Sequence, residues 1–520
     1  MTSFVDNRKN GIIEAVHRTP KIADPSTWRG RALVPVLVYV GLITSVISSL
    51  GAPLVPRLAD DYGVPLATAQ WSLTITLLVG AVTAPVIGRL SDGPQRLHVL
   101  ISALTVVTAG SILAALPTGS FALLVTGRGL QGVGLGLIPV AIGIARDHLD
   151  PGRARSTLAT LSVTAVVGVG LGYPLTGLIA EHLDFKVAFW LAAGLGIIAL
   201  VLSLLVVPTS MHRTSQTFDV TGALLLGLGL TGLLISISEG EAWGWGSARL
   251  LVLATTSIVV VAVWTRHQMH VQQPIIDLRL MQNRSVLTAN LAAILAGVGM
   301  YLLMSMIIRY VETPRSTGYG LGTSVLVGSL VLLPLSITSY LSTKLATFLS
   351  RWLSPGRILP FGMLSFTASF LMYNASRDHL WEIFVVMGLA GVGTGCSFAV
   401  MPRMIVNATK PEQTGSALAL NQVLRMVGFS IGSALSATVL AAYTATGARF
   451  PTDRGFTVGA IVGVSLCTFT TIVAIALQIH QSDPVETKKD IELLVTESVD
   501  SAIAGVIAYE PEELPESRPR

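Results

Sequence analysis

The chain has 520 residues, of which 51% are hydrophobic and only 12% are charged, and its mean hydropathy is +0.68. Soluble globular domains carry about 25% charged residues, so this composition excludes a protein whose main solvent is water. The net charge of +5 does not indicate nucleic-acid binding, because the basic residues are spread over short loops where anionic lipid headgroups would attract them.

Apolar runs recur along the whole sequence, each of about the 20 residues that a helix needs to cross a bilayer. The pattern predicts about fourteen spans, at 32–55, 67–88, 98–117, 121–145, 158–180, 187–208, 219–238, 249–266, 286–309, 321–345, 358–376, 381–402, 415–443 and 456–479. We therefore predict an all-α polytopic membrane protein.

The distribution of basic residues predicts the orientation of the chain. An even number of spans puts both tails on one side, and most of the 34 Lys and Arg lie in the tails or in loops on that side. Because such loops stay cytoplasmic, we expect both termini in the cytoplasm and the spans in the cell inner (plasma) membrane. Residues 1–30 lack the apolar core of a signal peptide, so we expect no cleavage there.

The two halves of the chain resemble each other at an offset of about 260 residues. Gly132–Gly136 corresponds to Gly391–Gly395, and Pro151 corresponds to Pro411. Repeats of this kind place a binding site near the middle of the membrane, where the halves meet.

The predicted organisation is a cytoplasmic N-terminal tail (1–31), an N-terminal six-helix bundle (32–208), two linking transmembrane helices with a cytoplasmic loop (209–285), a C-terminal six-helix bundle (286–480) and an acidic, disordered cytoplasmic tail (481–520).

The loop after span 2 reads GRLSDGPQR, from Gly88 to Arg96. It resembles the loop signature of the major facilitator superfamily, G-x-L-x-D followed by basic residues, although Gly93 and Gln95 depart from it. The resemblance makes Gly88, Asp92 and Arg96 candidates for a cytoplasmic gate in which a carboxylate pairs with an arginine. The alternative is an ordinary turn whose basic residues orient the chain.

Arg128 lies well inside span 4, where a charge costs a few kcal/mol unless it has a partner or faces a cavity. Gln131 follows one turn later on the same face. The pattern R-x-x-Q-G resembles the fourth-span signature of the same superfamily, whose arginine is associated with proton coupling. We therefore expect Arg128→Ala to insert normally and lose coupled transport, whereas a purely structural pairing would lower expression instead.

Span 5 contains Gly168, Gly172 and Gly177 around Pro174. Small residues four apart let helices approach closely, and proline bends a helix. The run resembles the antiporter signature of the superfamily, with Tyr173 interrupting the usual Gly-Pro pair. It implies a hinge, with plain helix packing as the alternative.

Further motifs resemble the fourteen-span drug:proton antiporter family, a group of multidrug-efflux proteins. They include Asp219–Gly222, Pro274–Leu280, Asn290 and, in span 13, Asn421 and Arg425. Arg425 is a second membrane-embedded charge, and we expect it to line the cavity or an adjoining gate.

The acid that this family usually carries in span 1 is absent, because Val46 and Ile47 stand in its place. The remaining acids, among them Glu312, lie near span ends, where a solvated interfacial charge is the simpler interpretation. Arg309 and Glu312 have the i, i+3 spacing of an ion pair.

Several functions find no support in the sequence. No G-x-x-x-x-G-K-[ST] phosphate loop occurs, so we expect neither ATP hydrolysis nor a cofactor. No constellation of catalytic side chains indicates an enzyme. His267 and His270 are better interpreted as a polar loop than as a metal site, and Cys396 and Cys467 as helix-packing residues.

The sequence thus predicts a secondary active transporter that exports drugs, antibiotics or secondary metabolites in exchange for protons by alternating access. We expect the substrates to be bulky and largely apolar or cationic. The expected partners are the small-molecule substrate, protons and the lipid bilayer, with no nucleic acid, and we assume a monomer. Two alternatives stay open: uptake of a small solute by symport or uniport, and a non-transporting membrane receptor with a transporter fold.

Overall fold

The computed structural model describes residues 27–50, 54–64, 66–91, 95–209, 218–272, 274–350, 352–409, 413–445, 448 and 450–478. The elements in these ranges are α-helices and short 3₁₀ turns, and none is a strand. The two predicted tails (1–31 and 481–520) fall almost wholly outside these ranges, and so does Asp92 of the predicted gate.

Fourteen long helices in the described part of the chain follow the fourteen predicted spans. They are α1 (Trp28–Ser49), α2 (Leu66–Ser91), α3 (Arg96–Ala115), α4 (Phe121–His148), α5 (Pro151–His182), α6 (Lys186–Val206), α7 (Val220–Ser238), α8 (Ala248–His270), α9 (Arg284–Glu312), α10 (Leu326–Leu349), α11 (Pro355–Ala375), α12 (Leu380–Ala408), α13 (Thr414–Ala442) and α14 (Asp453–Gln478). Thirteen of them are long and apolar enough to cross a bilayer by composition, and α5 has 32 residues. The prediction of an all-α polytopic membrane protein is confirmed.

The first span ends earlier than predicted. The prediction runs to residue 55, whereas α1 ends at Ser49 and a separate short helix covers Val55–Tyr62. Pro53 and Pro56 cannot donate the amide hydrogen bonds that a continuous helix needs. The short helix ends at Gly63, whose φ of 61° is in the left-handed region that glycine adopts without strain.

The first half contacts the second along α5, which lies between α1 of its own half and α10 of the other. A Cβ atom added at Gly168 would lie 2.9 Å from the carbonyl oxygen of Leu42 in α1. One added at Gly170 would lie 3.1 Å from the carbonyl oxygen of Leu332 in α10. Glycine therefore permits the close approach of three helices.

The halves also meet where α2 crosses α13, near the ends of these helices on the tail side. A Cβ atom added at Gly88 would lie 2.9 Å from the carbonyl oxygen of Gly415. Ala84 packs in one apolar cluster with Leu420 and Val423, which α7 and α8 also join. Toward the opposite side of the membrane α2 and α13 diverge, and a cavity lies between them.

Candidate functional site

A cavity of about 380 Å³ lies between the two halves. Its wall combines side chains of α1, α2, α4 and α5 with side chains of α9 and α13, and α7 closes one flank. These residues fall in the last turns of α1 and α7, the first half of α2 and the second half of α9. The cavity is therefore on the side opposite the tails, and contacts between the halves close it from the tail side.

Hydroxyl groups line the cavity at helical spacing. Ser45, Ser48 and Ser49 project from α1, and Ser430 and Ser433 project from α13. The hydroxyls of Ser45 and Ser48 donate to carbonyl oxygens one turn earlier, at 2.8 Å each. Their oxygens retain acceptor capacity toward the cavity. This stripe of small polar residues on apolar helices is a sequence signal that the span analysis did not use.

One wall of the cavity is aromatic and rich in methionine. The rings of Tyr301 in α9 and Phe429 in α13 stack with centroids 4.4 Å apart and an interplanar angle of 23°. Met300, Met304 and Met426 lie beside them. Stacked rings and flexible thioethers suit an apolar ring system whose exact outline varies.

Arg128 lies behind this wall, in the middle of the first half, with no exposed surface. Its guanidinium donates to the carbonyl oxygens of Ser72 at 2.9 Å, Ile47 at 3.1 Å and Ser48 at 3.0 Å. It also donates to Oε1 of Gln131 at 2.6 Å, and the Gln131 amide in turn donates to Ser111. Ile47 and Ser48 belong to the last turn of α1, whose free carbonyl groups attract a cation. Arg128 therefore binds together α1, α2 and α4.

Arg425 lies in α13 and is also buried, with 4% of its surface exposed. Its surroundings differ from those of Arg128. It lies under the ring of Phe398 in α12, with its Cζ atom 4.7 Å from the ring centroid. Its Nε has no hydrogen-bond partner among the described residues. It does not line the cavity, whereas its neighbours Gln422 and Met426 do.

Among the predicted site residues that the structure describes, Arg309 alone lies in the cavity wall. Its side chain is exposed, as is that of Glu312. The two do not form an ion pair, so the pairing that their spacing suggested is wrong. Glu312 points toward α10 instead, because a Cβ atom added at Gly328 would lie 3.2 Å from its Oε1.

Asn421 connects two helices of the second half rather than facing the cavity. Its amide donates to the carbonyl oxygen of Ala289 at 3.1 Å and to Oδ1 of Asn290 at 3.0 Å. Both family markers, Asn290 and Asn421, therefore join α9 to α13.

Arg96 of the predicted gate is 2% exposed and bound within its own half. It forms an ion pair of 2.5 Å with Asp147 and donates to the carbonyl oxygens of Ser91 and Gly143. A pairing of Arg96 with Asp92 falls outside the described residues. Gly88, the remaining gate candidate, contacts the second half directly.

Arg146 connects the halves on the tail side. Its guanidinium donates to the hydroxyl of Thr414 and to the carbonyl oxygens of Val406 at 3.4 Å and Thr409 at 3.3 Å. These acceptors lie at the end of α12 and the start of α13. Arg146 is one of the basic residues on the tail side that predict the orientation of the chain, and nothing in its local sequence indicates which acceptors it reaches.

The glycines of the predicted hinge are all in close contacts. Gly168 and Gly172 face α1, and a Cβ atom added at Gly177 would lie 3.0 Å from Oγ of Ser329 in α10. Pro174 lies inside α5, which continues to His182. The close packing is observed, and the hinge motion stays a prediction.

At the tail side of the central pair, Asp219 caps α7 and contacts α8. It accepts hydrogen bonds from the Gly222 amide at 2.8 Å and the Gln268 amide at 2.8 Å, and it lies 3.0 Å from Nε2 of His267. Burial raises the pKa of this carboxyl, but the hydrogen bonds outweigh it and hold the pKa below its usual value. This cluster accounts for the marker Asp219–Gly222 as a structural cap.

Comparison with known families shows to which family the chain belongs. The model of the Major Facilitator Superfamily matches residues 37–374. The chain belongs to this superfamily. The resemblance carried by the gate loop and by the span 4 and span 5 motifs is therefore confirmed at the level of the superfamily.

Superfamily relatives with similar sequences carry names that refer to drugs. The chain is 26% identical over 387 residues to the multidrug resistance protein B homolog of Mycobacterium tuberculosis, covering 73% of this chain and 70% of the relative. It is 26% identical over 429 residues to the tetracenomycin C resistance and export protein of Streptomyces glaucescens, covering 80% and 77%.

A solved structure of the superfamily has a similar fold. The human organic anion transporter MFSD10 (TETRAN) superposes with a TM-score of 0.59 and 16% sequence identity, covering 85% of this chain and 99% of that one. At this identity the likeness concerns the fold alone.

Proposed function

We propose that this member of the superfamily is a secondary active transporter that exports drugs, antibiotics or secondary metabolites by alternating access. The observation that carries the proposal is the cavity that both halves line and that is closed from the tail side. Two halves that meet at a mid-membrane site expose it alternately when one rocks against the other. We take 32–208 and 286–480 as these halves, with residues 209–285 between them, and we take the functional unit as a monomer because one chain encloses the cavity.

The direction of transport is proposed from the relatives and the topology. Two of the relatives are named for multidrug resistance and for tetracenomycin C export. The basic loops favour cytoplasmic termini in the cell inner membrane. With that orientation the cavity faces outward, which is the conformation that releases an exported compound.

For proton coupling we propose Glu312 as the titrating group. The described wall of the cavity contains no carboxylate, and Arg128 binds only neutral oxygens. Glu312 lies one helical turn beyond the cavity residue Arg309 and against α10. Protonation of this acid between α9 and α10 would alter the packing of the second half near the mouth of the cavity.

The test is efflux of uncharged, anionic and cationic fluorescent compounds from energised cells, with and without an uncoupler. We expect uncoupler-sensitive efflux, at least about tenfold slower in Glu312→Gln. Glu181→Gln is the matched control, because Glu181 is an exposed acid at the end of α5 on the same side of the membrane, and we expect it to behave as wild type. Efflux that resists the uncoupler contradicts proton coupling, and coupled efflux that survives in Glu312→Gln contradicts the role of this residue.

A second candidate function is uniport or uptake without protons, which the absence of a carboxylate from the described cavity wall favours. Accumulation of a compound in intact cells, unaffected by the uncoupler, would support it. Binding without movement of any compound would favour a receptor with a transporter fold.

A further inference from the structure

The described wall of the cavity carries a positive charge and no negative one. Arg309 is the single charged side chain in the described wall, which otherwise consists of hydroxyl, amide, thioether, aromatic and aliphatic groups. No ion pair in the described part of the chain includes Arg309, and its side chain is exposed at the cavity. A donor fork with no partner is thus available to a bound molecule.

Two buried arginines behind the wall add to the positive potential that Arg309 creates in the cavity. Arg128 donates to the carbonyl oxygen of Ser48, whose side chain lines the cavity. The four oxygens around Arg128 are neutral, so the charge of the guanidinium is solvated but not cancelled. Arg425 lies one turn from the cavity residue Gln422, with its Cζ atom 4.7 Å from the centroid of the Phe398 ring and no acidic partner among the described residues.

Three guanidinium groups without an acidic partner create a positive potential in a medium of low dielectric. An organic cation in this cavity would meet repulsion from all three groups and find no carboxylate in the described wall to balance it. An anion would be attracted by all three and could accept charge-assisted hydrogen bonds from Arg309. The wall thus distinguishes ligands by the sign of their charge.

The rest of the wall favours an anion that carries an aromatic ring system. The stacked pair Tyr301 and Phe429 presents flat apolar surface between α9 and α13, and three methionines surround it. The hydroxyl stripe of α1 offers hydrogen bonds on the facing side. A polycyclic ring with oxygen substituents would pack against the first surface and form hydrogen bonds with the second.

From these observations we infer that the cavity binds aromatic organic anions, with the acidic group of the ligand on Arg309 and its ring system against Tyr301 and Phe429. This replaces the sequence-based expectation of largely apolar or cationic substrates. The inference rests on the proposed function, since it takes the cavity as the substrate site, but it concerns binding and not the direction or energy source of transport.

The test compares three fluorescent probes of one size and different charge: anthracene-2-carboxylate, anthracene-2-carboxamide and anthracen-2-ylmethylammonium. Binding to the purified full chain in lipid nanodiscs is measured by fluorescence titration at neutral pH. We expect the carboxylate to bind about tenfold or more tightly than the carboxamide, and the ammonium compound to bind most weakly. In Arg309→Gln the carboxylate should lose its advantage over the carboxamide.

The control is Arg266→Gln, the same substitution at an exposed arginine of α8 on the tail side, which should keep the wild-type order. Equal or tighter binding of the ammonium compound overturns the inference, and so does binding of none of the three probes or a carboxylate preference that survives in Arg309→Gln. Efflux assays with the same probes separate the two proposals. Selective anion binding without efflux refutes export alone, whereas efflux of the ammonium compound in preference to the carboxylate refutes the inference alone.

Discussion

Arg128 in the first half and Arg425 in the second are both buried arginines, but the groups that surround their guanidinium groups differ. Arg128 is surrounded by three backbone carbonyl oxygens and the amide oxygen of Gln131, whereas Arg425 lies against a single aromatic ring. The repeat does not relate them, since it aligns Arg128 with Met387 and Arg425 with Ala165. A buried arginine therefore connects three helices in one half and lies against an aromatic ring in the other.

The strongest test of this comparison is Arg128→Ala. Three carbonyl groups and the Gln131 side chain would lose their donor, and hydrogen bonds to charged groups are worth about 1.5–3 kcal/mol each. We expect the free energy of unfolding in detergent, measured by denaturant titration, to fall by about 3 kcal/mol or more. This differs from the sequence-based expectation of normal folding. Gln131→Ala, which removes one acceptor and leaves the guanidinium, should cost less, and normal stability of Arg128→Ala would refute the structural role.

The opposite result is expected for Arg425→Met. Methionine keeps the unbranched apolar stem of the side chain, and it removes the desolvation penalty that a buried charge without an acidic partner carries. We expect a higher melting temperature in a thermal unfolding assay. A lower melting temperature would mean that Arg425 has a partner that stabilises it, and the contrast with Arg128 would fail. Phe398→Leu serves as the control, because it removes the ring and leaves the charge.

The smallest of the three effects is expected for Arg146→Ala on the tail side. Loss of hydrogen bonds to Thr414, Val406 and Thr409 should weaken the contact between the halves by about 1–2 kcal/mol. Labelling of a cysteine introduced at Ser91 should become faster, because Ser91 is buried at this closure. Both native cysteines are buried. Arg153→Ala is the matched control, since Arg153 contacts Gly30 within its own half, and equal labelling in the two variants would contradict the closing role of Arg146.

The local sequence was enough to predict the transmembrane spans and the superfamily. The fourteen spans follow from the length of apolar runs, because a helix in hydrocarbon must satisfy its own backbone and needs about 20 residues to cross. The superfamily follows from short motifs such as the loop from Gly88 to Arg96. The prediction failed locally at the end of span 1, because hydropathy continues past Ser49 whereas α1 ends there.

The tertiary structure decided which polar residues face the cavity. Arg128, Gln131, Arg425 and Asn421 stand out in the sequence because each is costly inside a membrane, yet all four point into their own bundles. The serines at 45, 48 and 49 and the pair Tyr301 and Phe429 attract no notice in a sequence, because small hydroxyls and aromatic rings are ordinary in membrane helices. The facing of a helix is set by its rotation against its neighbours, through contacts between residues distant in the chain. Composition therefore determined how many helices cross the membrane, and packing alone decided that Arg309 lies in the cavity wall while Glu312 points toward α10.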